Sequence, residues 1–95
     1  MTRSKLNNRQ VCWVCGKPTT ERHHIFGGAN RKWSEKYGLW VYLCPMCHRL
    51  SNDAVHNNAE LMQILHECGQ VAFEREHTRE EFMKIIGRNY LDEND

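Results

Sequence analysis

Two Cys-x-x-Cys pairs, Cys12 with Cys15 and Cys44 with Cys47, constrain this chain more than any other feature. Each spacing lets one short turn present two thiolates to the same tetrahedral ion, and 28 residues separate the two copies. Thiolate softness and four-coordination favour zinc. A staple of this kind is expected from length alone, because 95 residues make at most one small domain whose core buries too little surface to hold without help. Disulfides are the other use of paired cysteines, and they belong to oxidising compartments. The N-terminal MTRSKLNNRQ lacks an apolar leader segment and no stretch approaches the length of a membrane span, so the expectation is a soluble, cytoplasmic chain with reduced thiols. A zinc held by four cysteines is closed to substrate, and its binding free energy becomes folding free energy.

Local patterns predict an α+β fold. The run VCWVCGKP reads as a metal knuckle, with Gly16 and Pro18 in the turn after the second cysteine. Residues 19–25 read as a short strand ending at His23 and His24, which the pair Gly27 and Gly28 then breaks. Asn30 caps a helical turn through NRKWSEKYG that stops at Gly38. The run LWVYL, 39–43, is the best strand in the chain, and Pro45 suits the first turn of a helix through PMCHRLSN. Further on, Asn57 with Glu60 reads as a capping box for a helix whose Leu61, Ile64, Leu65, Cys68, Val71 and Ala72 share one face. Thr78 with Glu81 opens a second, whose Phe82, Ile85 and Ile86 face inward before Gly87 ends it. The expected organisation is a mobile basic arm over 1–10, a zinc-stapled core over 11–57, supporting helices over 58–91 and an acidic tail over 92–95. Cys68 reads as a small buried hydrophobe, Trp13, Trp33 and Trp40 as core, and His66 and His77 as surface residues.

The net charge of +1 conceals a division along the chain. Residues 1–36 hold eight Lys/Arg against two acids, whereas the remaining 59 hold five against ten. A basic half beside an acidic one suggests a directed interaction with a polyanion. His23, His24, His48 and His56 remain once the cysteines are assigned to zinc. A hairpin of the two strands brings His23 and His24 beside the helix that carries His48. Adjacent strand residues point to opposite faces, so His23 and His24 cannot do the same job from the same side. Such a cluster suits phosphodiester hydrolysis, in which a divalent cation polarises the phosphate and a separate imidazole deprotonates water.

The succession of C-x-x-C, then HHI followed by a glycine pair, then an apolar strand entering LCPMCHR resembles the HNH nucleases of the ββα-metal (His-Me finger) superfamily. It is most similar to small phage-encoded members with a treble-clef-like zinc knuckle, over about residues 11–57. The resemblance implies a ββα-metal core in which His23 binds a catalytic divalent ion such as Mg2+, Mn2+ or Zn2+, His24 is the general base, and His48 is a second metal ligand. The family's third ligand usually lies one helical turn further on, at Asn52 here. His56 is two turns on, roughly 12 Å away along a straight helix, but Ser51, Asn52 and Asp53 favour turns, so the chain can fold His56 back. Imidazole is the better ligand for a transition-type ion, which makes His56 the preferred third ligand and Asn52 the alternative. The motif's middle asparagine, which orients the general base, falls at Leu39, so a backbone carbonyl or Asn30 is left to hold His24.

The expected activity is metal-dependent hydrolysis of DNA, with Arg22, Arg31, Lys32 and Lys36 close enough in sequence to His23 and His24 to position the phosphate backbone. No base-reading element stands out, so specificity is weak or comes from a protein partner. The alternative is a catalytically inactive zinc-finger module that binds nucleic acid, and a third is a structural treble clef that binds protein through its acidic helices. A bacterial host cytoplasm follows only if the chain is phage-encoded, as the resemblance implies.

Overall fold

The apolar run at 39–43 contributes a strand, as its β-branched and aromatic residues favour. The computed structural model describes residues 3–7, 9–50 and 54–91. Strand β1 (Arg22–His24) pairs antiparallel with β2 (Trp40–Tyr42), with His23 opposite Val41 and His24 opposite Trp40. The regular ladder is shorter than the expected strands, but pairing continues at both ends, where Ile25 N–H donates to the Leu39 carbonyl and Leu43 N–H to that of Glu21, each at 3.0 Å.

Between the strands the chain makes a 3-10 turn (Gly28–Asn30) and helix α1 (Arg31–Tyr37). The hydroxyl of Ser34, buried on α1, donates to the Phe26 carbonyl at 2.8 Å and accepts from the Phe26 N–H at 3.0 Å, which locks the helix onto the exit of β1. Asn30 stands at the N-cap position but its side chain makes no cap; it donates instead to the Ile86 carbonyl at 3.2 Å. Gly38 ends α1 with φ of +69°, and a Cβ there would stand 2.2 Å from the Arg3 carbonyl oxygen, so only glycine fits.

Residues of the expected N-terminal arm lie against the outer edge of β2. Lys5 N–H donates to the Gly38 carbonyl at 2.8 Å, Tyr42 N–H donates to Asn7 Oδ1 at 2.7 Å, and the Ser4 hydroxyl donates to the Trp40 carbonyl. Lys5 also pairs with Glu76. An open strand edge carries unpaired backbone groups, and this segment satisfies them.

After Pro45 the chain forms a π-helical turn (Met46–Leu50) where the sequence predicted a helix, and a 3-10 turn (Val55–Asn57) follows beyond residues 51–53. Helix α2 (Ala59–Glu74) begins one residue later than expected, with the Asn58 side chain accepting from Leu61 N–H in place of Asn57. Its buried residues are Leu65, Gly69, Gln70, Ala72 and Phe73, whereas Ile64 and Val71, expected inside, are 48% and 44% exposed. Apolar residues cover more than one stripe of α2, and Gly69 packs against Ile25 and Phe26, just after β1, on the side that buries Leu65, Ala72 and Phe73. Helix α3 (Arg79–Ile86) carries the expected Thr78–Glu81 capping box and buries Phe82 and Ile86 before Gly87 ends it.

One core unites these pieces: Ile25 and Phe26 after β1, Leu39, Val41 and Leu43 around β2, Val55, Leu65 and Phe73, then Phe82 and Ile86. Each such side chain, fully buried, contributes roughly 1.5–3 kcal/mol. Trp40 is buried while Trp13 and Trp33 pack partly exposed at its margin. The result is a small α+β fold with a two-stranded antiparallel sheet. Among the described residues no helix is long and apolar enough to cross a membrane.

Candidate functional site

The knuckle and the turn after β2 bring Cys12, Cys15, Cys44 and Cys47 together, with their sulfurs within 4.8 Å of one another. All four are free thiols, and Cys15 and Cys44 sulfurs stand 3.6 Å apart, close to the roughly 3.8 Å edge of a tetrahedral zinc–thiolate site and far from a disulfide bond. Gly16 N–H donates to the Cys12 carbonyl at 2.9 Å, closing the knuckle. Burial pushes the Cys12 thiol up, but N–H groups of Cys15, Cys44 and Val14 outweigh it and bring the pKa down to about 6. Burial and hydrogen bonds from the neighbouring thiols push Cys47 the other way. These four cysteines could hold a zinc ion.

A second group stands apart from the first. His23 on β1, His48 in the π-helical turn and His56 in the following 3-10 turn each place one ring nitrogen within 4.8 Å of the other two. Their ring centroids are 5.3 Å (His23 to His48), 5.1 Å (His23 to His56) and 4.7 Å (His48 to His56) apart. Nitrogens bound to one zinc stand about 3.4 Å apart, so movements of about 1 Å would close the group on an ion. The His23 Nε2 atom is buried without a hydrogen-bond partner, a state that costs roughly 1–3 kcal/mol and that a cation would relieve. His48 Nδ1 lies 3.0 Å from Glu21 Oε1. A carboxylate only accepts, so the proton of that bond sits on Nδ1 and leaves Nε2 with a lone pair for a metal. Burial, with the nearby imidazoles of His48, His56 and His24 adding to it, pushes the His23 pKa down to about 3. Burial and His48 likewise lower His56. Both are therefore neutral near pH 7, the form that ligates metal. The donor set suits a divalent ion.

His24, next to His23 on β1, has its Nε2 3.1 Å from Glu35 Oε1 on α1. One shallow depression is lined by His23, His24, His48, His56, Arg22 and Arg31, with Gly27 and Gly28 at its edge. Arg22 also stacks over the Trp40 ring at 4.8 Å. Lys32 and Lys36 do not line it; their amines lie over Trp33, at 5.1 and 5.7 Å.

The structure thus brings together His23, His24, His48, His56, Arg22 and Arg31, and sets Lys32 and Lys36 apart. Asn52 lies outside the described residues. Leu39 is fully buried in the core, and the Asn30 amide donates to the Ile86 carbonyl; among the described residues the hydrogen bond of the His24 ring is to neither of them. His66 is no plain surface residue, since it stacks on Phe26 with centroids 5.4 Å apart, and His77 stacks on Phe73 at 4.5 Å. Two carboxylates escaped the sequence argument. Glu21 carried a signal, the two-residue spacing to His23 that puts both on one side of a strand. Glu35 carried none, because only the packing of α1 on β1 brings it to His24. Comparison of the chain with protein-family models, with curated proteins and with solved structures gives no match.

Proposed function

We propose that this protein is a metal-dependent endonuclease of the HNH type it resembles, hydrolysing DNA phosphodiester bonds, with β1, β2 and the turn bearing His48 as its ββα-metal core. The observation that carries the proposal is the division within one depression. Three imidazoles converge, and the fourth, His24, is directed elsewhere beside two arginines. His23, His48 and His56 would hold the cation. A bound divalent ion supplies positive charge to the scissile phosphate and the leaving oxygen. His24 takes the proton from the attacking water. Arg22 and Arg31 hold the non-bridging phosphate oxygens, and backbone contact of this kind binds without reading bases. The four-cysteine zinc, in a treble-clef-like knuckle, fixes the start of the turn that carries His48.

A plasmid-nicking assay with Mg2+ or Mn2+ tests the proposal. Wild type is expected to nick, and His24→Ala to lose about 100- to 10,000-fold in rate with its circular dichroism and one zinc per chain intact. Equal nicking by both, or none by either across several divalent ions, rejects the catalytic assignment. DNA retention without nicking would leave a zinc-stabilised nucleic-acid-binding module.

A further inference from the structure

We infer that Glu35 is the positioning residue that sets the ring orientation and tautomer of His24, a role that rests on the proposed nuclease activity and identifies a residue it does not include. A general base works only if its lone pair, and not its N–H, faces the water. His24 Nε2 and Glu35 Oε1 are 3.1 Å apart. Because the carboxylate has no proton to give, Nε2 carries the hydrogen and Nδ1 is left with the lone pair. Nδ1 makes no hydrogen bond among the described residues.

The carboxylate is held where a ring-orienting group should be. Glu35 lies one residue beyond Ser34, whose hydroxyl both donates to and accepts from the Phe26 backbone just after His24. Those two hydrogen bonds of Ser34 hold α1 against the end of β1, where the Glu35 side chain meets His24. Of the groups the sequence left for the task, the Asn30 amide donates to the Ile86 carbonyl, and the hydrogen-bond partner of the His24 ring among the described residues is the Glu35 carboxylate, not a backbone carbonyl. Among the described residues Glu35 is not a member of either metal-ligating group.

The test uses the full-length, zinc-loaded chain and its Glu35→Ala variant, which replaces a half-buried residue by the best helix former. Nitrogen-15 NMR of the imidazoles at about pH 8, where an unperturbed histidine is neutral, reads the tautomer directly. Wild-type His24 is expected as the Nε2–H form, and the variant as a mixture. In nicking assays the variant is expected to lose about 10- to 100-fold in kcat, the range found for removing a carboxylate behind a metal-ligating histidine, with KM and Mn2+ affinity unchanged. A wild-type proton on Nδ1 overturns the assignment without recourse to any variant. So does an unchanged kcat in E35A while His24→Ala is inactive, which would leave the nuclease intact and remove Glu35 from it. Absence of nicking by wild type refutes the nuclease activity, and the NMR comparison alone then decides whether Glu35 sets the ring.

Discussion

Glu21 shows how much one carboxylate can organise. It stands two residues before His23, so both leave the strand on the same side, and its two oxygens bind separately, one to His48 Nδ1 and the other to Arg49, each at 3.0 Å. Hydrogen bonds from His48 and Arg49 hold its carboxyl below the usual range, so it is ionised wherever the imidazole can act as ligand. A carboxylate behind a ligating histidine fixes the tautomer and makes the free nitrogen a better donor. Glu21→Ala should therefore weaken binding of Mn2+ to the histidine group by about 10- to 100-fold, measured by calorimetry on zinc-loaded protein. Unchanged affinity would mean that Glu21 serves only its pairing with Arg49.

The position of β1 depends on a helix far along the chain. Gly69, in the middle of α2, lies so close to the exit of β1 that a Cβ would come within 3.0 Å of both Ile25 Cγ2 and Phe26 Cε2. Both neighbours are buried. Alanine would favour the helix by about 1 kcal/mol, but overpacking a filled core costs roughly 1–3 kcal/mol. Gly69→Ala should destabilise the fold by about 1 kcal/mol net in urea denaturation. A stabilised variant would show that Ile25 and Phe26 can move aside. Gln70, one residue on and fully buried, donates to Glu74 and Asn89 at 2.8 Å and accepts from Tyr90 N–H at 2.7 Å, anchoring the segment after α3. A glutamine at an inward helical position is a poor hydrophobic signal, so the apolar pattern of the sequence does not mark this face of α2 as the buried one.

For the whole molecule, the four-cysteine group joins the knuckle before β1 to the turn after β2, so one ion would tie both ends of the hairpin that carries the histidines. A chain of this size draws much of its folding free energy from such a site. A strong zinc chelator, or Cys44→Ser, should therefore abolish cooperative thermal unfolding followed by circular dichroism; an unaltered transition would show that the core suffices alone. The cysteine spacing, the apolar strand and the Thr78 capping box were all legible in the sequence, because each is a local pattern whose chemistry acts over a few residues. Strand alternation likewise assigned His23 and His24 to opposite sides before any fold was known. What only the tertiary structure decided were the long-range pairings. His56 meets His48 through turns that no periodicity encodes, the N-terminal segment covers the edge of β2, and α1 delivers Glu35 to His24. Sequence specifies which atoms can bond, whereas packing of elements distant along the chain selects the partners they reach.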